Sequence, residues 1–155
     1  MSTKIFKTII MLALFAVSFM LPAKVSFAQL GNTHSSWLNM QNSVKTKTIH
    51  SLWVSYSTKS FKNSITEYED LNGRVFAVKW HGTRPPDMKK LLGTYRDEYS
   101  RIMLDKFHGG RRGGIYAVSS NIILSLGGHM GDVHGFVYIP AFVPAGVNIH
   151  DILAQ

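Results

Sequence analysis

The stretch from Thr83 to Asp105 constrains the fold most, because it is the one long segment of the chain with helical periodicity. Pro85-Pro86 and Asp87 are typical of a helix start, and Gly109-Gly110 is typical of a helix end. A helix with one apolar stripe has to bury that stripe, so we predict a helix over 86–104 that packs on a sheet. The stripe consists of Met88, Leu91, Leu92, Tyr95, Tyr99, Ile102 and Met103.

Short segments with strand-like alternation flank this helix on both sides. An alternating run at 49–57 and a hairpin at 64–80 precede it, and a hairpin at 115–126 and a last strand at 132–139 follow it. The pattern predicts an α+β fold: an antiparallel sheet of about five or six strands with one amphipathic helix packed on one face. A short helix is also expected near Trp37, Met40 and Val44.

The first hairpin has a turn whose residues indicate its geometry. Asp70 at the first position and Gly73 at the last favour a type I turn followed by a left-handed glycine. We choose the register that pairs Tyr68 with Phe76, because it collects the apolar residues on one face of the hairpin. The opposite, solvated face then carries Glu67, Glu69 and Lys79.

The first 28 residues have the pattern of a signal peptide. Lys4 and Lys7 precede an apolar run of 14 residues, which is short of the roughly 20 needed to span a bilayer. Ser26 and Ala28 are small residues at the positions that a signal peptidase reads, so we predict cleavage after Ala28. Cleavage after Ala23 and an uncleaved anchor are the alternatives. The prediction is therefore a signal peptide over 1–28 and a single domain over 29–155.

Charge and cysteine content narrow the function classes. The formal net charge of +8 falls to +5 when Lys4, Lys7 and Lys24 are removed with the signal peptide. No cysteine is present, which excludes a disulfide framework, a thiolate metal site and a cysteine nucleophile. We expect a periplasmic or secreted protein with no nucleic-acid partner and no membrane-spanning segment after cleavage. The charge is compatible with weak attraction to anionic lipid, cell wall or polysaccharide.

The connection around residues 127–134 is the predicted functional surface. Three glycines in five residues are costly for a merely structural hairpin, although a tight turn is the plain alternative. The basic Gly109–Gly114 loop is expected to flank the same edge of the sheet. The candidate ligand- or partner-binding residues are Gly127, Gly128, His129, Met130, His134, Arg111 and Arg112.

The same connection suggests a metal hypothesis without a supporting motif. His129, Met130 and His134 could approach His81, and such ligands suit copper more than zinc. Asp132 is the only carboxylate nearby in the chain, and the spacing matches no tight ligand motif. Whether these residues bind metal stays open, and no cofactor is predicted.

No catalytic motif is found in the sequence, and we predict a protein that is not an enzyme. There is no Gly-x-Ser-x-Gly nucleophile elbow, no phosphate-binding loop and no dinucleotide fingerprint. The leading hypothesis is a non-enzymatic binding or envelope-assembly protein whose partner is another envelope or secreted protein. The alternatives are a small-ligand or copper-like metal-binding protein that uses the 127–134 loop, and a peptidase-inhibitor-like module.

Two blocks of sequence resemble a known family. They are ITEYEDLNGRVFAVKWHGTRPPDMKKLLGTY at 65–95 and LSLGGHMGDVHGFVYIPAFVPAGV at 124–147. With these motifs the chain resembles the bacterial secreted domain-of-unknown-function family numbered 2844, and the resemblance is weakest over residues 31–63. It implies an exported precursor. The family carries no assigned activity, so the resemblance implies no catalytic residues.

Overall fold

A computed structural model describes residues 30–33, 44–108 and 113–154 of the chain. One antiparallel sheet of seven strands contains every strand of this part of the chain, in the order β1-β2-β3-β4-β7-β6-β5. The strands are β1 Val44–Ile49, β2 Trp53–Lys59, β3 Asn63–Asp70, β4 Val75–Gly82, β5 Ile115–Val118, β6 Ile123–His129 and β7 Asp132–Tyr138. The helices are α1 Met88–Leu92, α2 Arg96–His108 and α3 Ile149–Ala154, with 3₁₀ turns at Gly93–Tyr95 and Pro140–Phe142.

The predicted mixed α+β architecture is confirmed, but the expected count of five or six strands is wrong. The additional strand is β1, of which the alternating run at 49–57 includes only Ile49. The chain reverses between β1 and β2, where His50 N–H bonds to Trp53 O at 2.9 Å. Strand β1 also contains Val44, which was expected in a short helix; Trp37 and Met40 lie outside the described residues. All six residues of β1 are exposed, so this edge strand has no buried face to produce a recognisable pattern.

The β3–β4 hairpin has the predicted turn but not the predicted register. Gly73 has φ +79° and its N–H bonds to Asp70 O at 3.0 Å, as expected for the type I turn with a left-handed glycine. A β-bulge then shifts the pairing by one residue, from Glu69 opposite Val75 to Tyr68 opposite Ala77. Glu67, Glu69 and Lys79 were expected to share one solvated face. With the shifted pairing, Glu67 and Glu69 are buried, and Lys79 lies on the opposite face of the sheet.

Helices α1 and α2 cover one face of the sheet, as predicted, but they do not form one continuous helix. Asp87 caps α1 by accepting the N–H groups of Lys89 and Lys90 at 3.1 and 3.2 Å. Gly93 ends α1 with φ +52°, a conformation that side-chain-bearing residues rarely adopt. The buried core beneath these helices includes Ile65, Val78, Trp80, Leu91, Leu92, Leu124 and Val137, together with Leu30 from the short stretch 30–33.

The C-terminal segment covers only part of the other face. Asn148 Oδ1 accepts the His150 N–H at 3.2 Å at the start of α3, and Ile152 and Leu153 then pack on the sheet. Tyr68 Oη donates a hydrogen bond to Ile152 O at 3.4 Å. This second core consists of Trp53, Tyr68, Phe76, Ala77, Tyr138, Ile152 and Leu153. No helix in the described part of the chain is long and apolar enough to cross a membrane.

Candidate functional site

A groove lies beside α3, on the face of the sheet opposite to α1 and α2. Helix α3 sits over the cross-strand row that contains Tyr68, Ala77 and Tyr138. The next two cross-strand rows on this face, which lie further from α3, line a groove of about 910 Å³. This volume is within the range of ligand-binding clefts, roughly 300 to 1,000 Å³. We call this depression the open groove.

Serine and threonine are the most frequent residues on the floor of the open groove. Alternate residues of a strand face the same side of a sheet, and in β1, β2 and β3 these alternate residues are serine and threonine. Ser57 Oγ and Thr66 Oγ1 are 2.9 Å apart and share a hydrogen bond across β2 and β3. The seven serine and threonine residues that line the groove are Thr46, Thr48, Ser55, Ser57, Ser64, Thr66 and Ser125.

The charged groups of the groove are basic. Lys59 is exposed at one end of β2, and Lys79 is half-buried near the centre of the groove. Lys79 Nζ donates a hydrogen bond to Leu153 O at 2.8 Å, which fixes the position of this cation. Among the groove-lining residues there is no aspartate or glutamate. The groove is therefore suited to a polar ligand with negative rather than positive charge.

Aromatic rings border the hydroxyl floor at two places. The His50 ring stacks on Trp53 with the ring centroids 3.5 Å apart and the planes inclined by 17°. Phe136 is half-buried and directly follows Lys79 in the same cross-strand row. Burial raises the pKa of the Tyr68 phenol, so Tyr68 stays a neutral hydroxyl at neutral pH. The groove thus combines hydroxyls, cations and apolar ring surfaces.

The predicted site at 127–134 is a hairpin corner at one end of this groove. Gly127, Gly128 and His129 belong to β6, and Met130-Gly131 form the turn into β7. Met130 is 99% exposed at the tip of the turn. His134, by contrast, lines the groove, directly opposite His81 of β4. The predicted residues Arg111 and Arg112 lie outside the described residues.

The glycines of this corner have local structural reasons. A Cβ on Gly127 would lie 2.5 Å from His134 Nε2, so the glycine makes room for the histidine ring. A Cβ on Gly128 would lie 2.0 Å from Asp132 O, and Gly128 has φ +108°. Gly131 has φ +86° in the turn itself. The tight-turn alternative therefore accounts for these glycines without a ligand.

Two of the histidines near this corner, His81 and His129, face the same carboxylate, that of Asp132. Asp132 Oδ1 is 2.8 Å from His81 Nε2, and Asp132 Oδ2 is 3.9 Å from His129 Nε2. Over residues 30–33, 44–108 and 113–154, no three histidine or acidic side chains are arranged to hold a metal ion. His81 and Asp132 also lie near Ser64, but Ser64 Oγ donates to the backbone oxygen of His81 at 3.3 Å. That hydroxyl is not directed at the imidazole as a serine nucleophile requires.

No pattern in the sequence predicted the groove. Ser55 and Ser57 lie on the same side of β2 as Trp53, and the alternation along this run predicted only a strand. The predicted register hid the rest of the groove, because it put Lys79 on the same face as Glu67 instead of beside Thr66. Only the pairing of β1, β2, β3 and β4 brings the hydroxyls and the lysines onto one surface.

The fold and the groove define a small α+β protein with a seven-stranded antiparallel sheet that is covered by helices on one face and partly open on the other. The chain matches the family described as "Protein of unknown function (DUF2844)" over residues 26–152, so it belongs to that family. No curated protein and no solved structure matches the chain.

Proposed function

We propose that this protein is an exported, non-enzymatic binding protein of the periplasm or the extracellular space, and that the open groove is its ligand-binding surface. The observation that carries the proposal is the composition of the groove: seven hydroxyls, two lysines and no carboxylate in a cleft of about 910 Å³. Ligand clefts combine aromatic and apolar surface with convergent polar groups, and Trp53 and Phe136 supply aromatic surface beside these hydroxyls and lysines.

Export is supported by the sequence at residues 1–28 and by the family resemblance. Lys4, Lys7 and the apolar run are typical of a secretory signal. Ser26 and Ala28 favour release of the domain before Gln29. We expect the intact mass of the exported protein to correspond to a chain that begins at Gln29; a protein retained in the membrane with Met1 would contradict this part of the proposal.

A binding role is favoured over catalysis by the groups at the groove. The nearest serine–histidine–aspartate set, at Ser64, His81 and Asp132, is not aligned for nucleophilic attack. The lysine at the centre, Lys79, already donates to a backbone oxygen, which suits a fixed recognition group. The ligand contacts available are hydrogen bonds, charge and ring surface, and these are sufficient for recognition.

Pairing of a protein partner with the free edge of β1 is the less favoured mode of binding. Lys45 and Lys47 place two positive charges on this edge strand, and lysines on edge strands oppose pairing with further strands. The open groove is the better candidate because its residues converge on one volume.

The protein is expressed from the full chain. The experiment then measures the fraction of the exported protein that is retained on envelopes isolated from the same cells. The groove variant Lys59→Gln/Thr66→Val removes one cation and one hydroxyl at nearly constant volume. We expect the retained fraction to fall with an apparent Kd that rises at least about tenfold, since charged hydrogen bonds contribute about 1.5–3 kcal/mol. The control variant His129→Ala/Met130→Ala alters the exposed hairpin corner and should retain binding. Equal retention of the groove variant and the wild type would contradict the proposal; loss only in the control would transfer the site to the corner.

A further inference from the structure

We infer that the ligand of the open groove is an acidic polysaccharide, a chain of sugars that carries carboxylate groups. The inference rests on the proposed function and specifies its ligand. It depends on three properties of the groove: its direction across the sheet, its paired hydroxyls and its charge.

The groove runs across the strands, so it suits a long ligand that lies perpendicular to them. Its lining residues come from six adjacent strands, β1 to β4, β7 and β6. Neighbouring strands are about 4.8 Å apart, so the floor is roughly 24 Å long. A ligand in this position meets a new strand at each such interval. A polymer fills a floor of this length better than a single small molecule does.

The direction of the groove disfavours an extended peptide. Peptides that bind to sheets gain affinity from main-chain hydrogen bonds along a free strand edge. Strands β2, β3, β4 and β7 are paired on both sides, so their main-chain groups are already used. The ligand must therefore be recognised by the side chains that project from the sheet.

Those side chains match the chemistry of a sugar chain. Each serine or threonine hydroxyl both donates and accepts hydrogen bonds, as each sugar hydroxyl does. Ser57 and Thr66 hold each other at 2.9 Å, so these two hydroxyls present a defined pair to the ligand. Phe136 offers a half-exposed ring beside the floor, against which the apolar face of a sugar can lie.

The charge of the groove then selects an acidic sugar over a neutral one. Lys59 and Lys79 lie among the hydroxyls, and no lining residue is acidic. Asp132 is at the rim and is bound to His81 at 2.8 Å. A lysine ammonium group in a groove without carboxylates is best matched by an anion, and the carboxylate–ammonium hydrogen bond is roughly twice as strong as a neutral one.

The test compares three polymers of matched length by isothermal titration against the exported protein. They are polygalacturonate fragments, neutral dextran fragments and poly-L-glutamate. We expect polygalacturonate to bind, and dextran and poly-L-glutamate each to bind at least about tenfold more weakly. Lys59→Gln should raise the Kd for polygalacturonate about tenfold, whereas Lys89→Gln, the same charge change on exposed α1, should leave it unchanged. Lys59 is exposed, so its substitution does not endanger the fold.

Each contrary outcome overturns a defined part of the account. Equal binding of poly-L-glutamate shows recognition of charge alone and overturns the polysaccharide assignment. If dextran binds as tightly as polygalacturonate, the ligand need not carry carboxylate groups, and that part of the inference is overturned. If none of the three polymers binds while retention on envelopes still depends on Lys59 and Thr66, this inference is wrong and the proposed function stands. If retention does not depend on the groove, the proposed function itself is wrong.

Discussion

Lys79 and Leu153 are joined across the sheet by a hydrogen bond, in which Lys79 Nζ donates to the main-chain oxygen of Leu153 at 2.8 Å. The bond places the central cation of the open groove against the end of α3, where cations interact favourably with the free carbonyl groups of a helix. The neighbouring bond from Tyr68 Oη to Ile152 O attaches the same helix end to β3. The C-terminal helix and the groove are thus one structural unit.

Removal of the Lys79 ammonium group should destabilise this unit. Lys79→Met keeps the apolar stem of the side chain and loses the hydrogen bond, so we expect the free energy of unfolding to fall by about 1 kcal/mol. Lys89→Met on the exposed side of α1 is the matched control and should stay within about 0.5 kcal/mol of wild type. Urea denaturation measures both. Identical midpoints for the two variants would show that the bond to Leu153 contributes nothing to stability.

Glu98 connects α2 to the β5–β6 turn and should make stability depend on pH. Its carboxylate is buried and accepts hydrogen bonds from the Asn121 N–H at 3.1 Å, Asn121 Nδ2 at 3.0 Å, Ser120 Oγ at 3.3 Å and Ser119 Oγ. Burial raises the pKa of Glu98, but the hydrogen bonds from Ser119, Asn121 and Ser120 together lower it further, so the pKa lies below its ordinary value. The charged form is therefore the one that the fold stabilises.

The sign of the pH effect follows from this lowered pKa. The contribution of Glu98 to stability is fully present above its unfolded-state pKa, near 4.5, and is lost as pH falls through the folded-state pKa. Glu98→Gln should lower the free energy of unfolding by about 1–3 kcal/mol at pH 7 and by less at about pH 3. Asp97→Asn, the exposed neighbour on α2, should change little. Denaturation curves at both pH values measure these losses. If Glu98→Gln lowered the free energy of unfolding by the same amount at both pH values, the lowered pKa of Glu98 would be contradicted.

Gly73 should be required for its backbone conformation alone. A Cβ at this position would meet no atom within 4 Å, so the φ of +79° is the only obstacle to a side chain. Gly73→Ala should cost about 1 kcal/mol of unfolding free energy, the usual penalty for a left-handed residue with a side chain. Leu71→Ala, at an exposed position of the same turn, should cost far less. An unchanged melting midpoint for Gly73→Ala would show that the turn has another geometry.

The turn at Asp70–Gly73 and the bulge beyond it show how far the sequence could be interpreted. The turn depends on two residues close together in the chain, and aspartate and glycine specify it locally. The bulge at Phe76 depends on which residues β4 must present to two different cores, and this is a property of the assembled sheet. The sequence therefore predicted the turn correctly and assigned Glu67 and Glu69 to the wrong environment.

The same distinction applies to the candidate site. The glycine-rich corner at 127–134 stands out in the sequence because unusual backbone leaves a local mark. The open groove has no such mark, since Ser57, Thr66 and Lys79 are ordinary residues on three strands. They become a site only when β2, β3 and β4 pair side by side. No spacing of residues along the chain predicts this pairing of the three strands.

Two glycines on the β6–β7 hairpin should tolerate substitution differently. A Cβ on Gly135 would lie 2.5 Å from the buried Trp80 ring and 2.7 Å from Ser125 O, neither of which can move freely. Gly135→Ala should therefore lower the free energy of unfolding by about 1–3 kcal/mol. The three atoms nearest to a Cβ on Gly127 all belong to the exposed His134 ring, which can rotate away. Thermal denaturation should therefore show a stability nearer to that of the wild type for Gly127→Ala than for Gly135→Ala. A larger loss for Gly127→Ala would contradict the packing described at both positions.

The central claim is that the open groove binds the ligand, and an NMR titration tests it most directly. Isotope-labelled protein is titrated with polygalacturonate fragments while the backbone amide resonances are followed. The account predicts that the largest shifts map to Ser57, Thr66 and Lys79 on the groove floor, and that the amides of α1 and of Met130 at the hairpin tip stay in place. Shifts centred on α1 or Met130, with the groove amides unchanged, would contradict it.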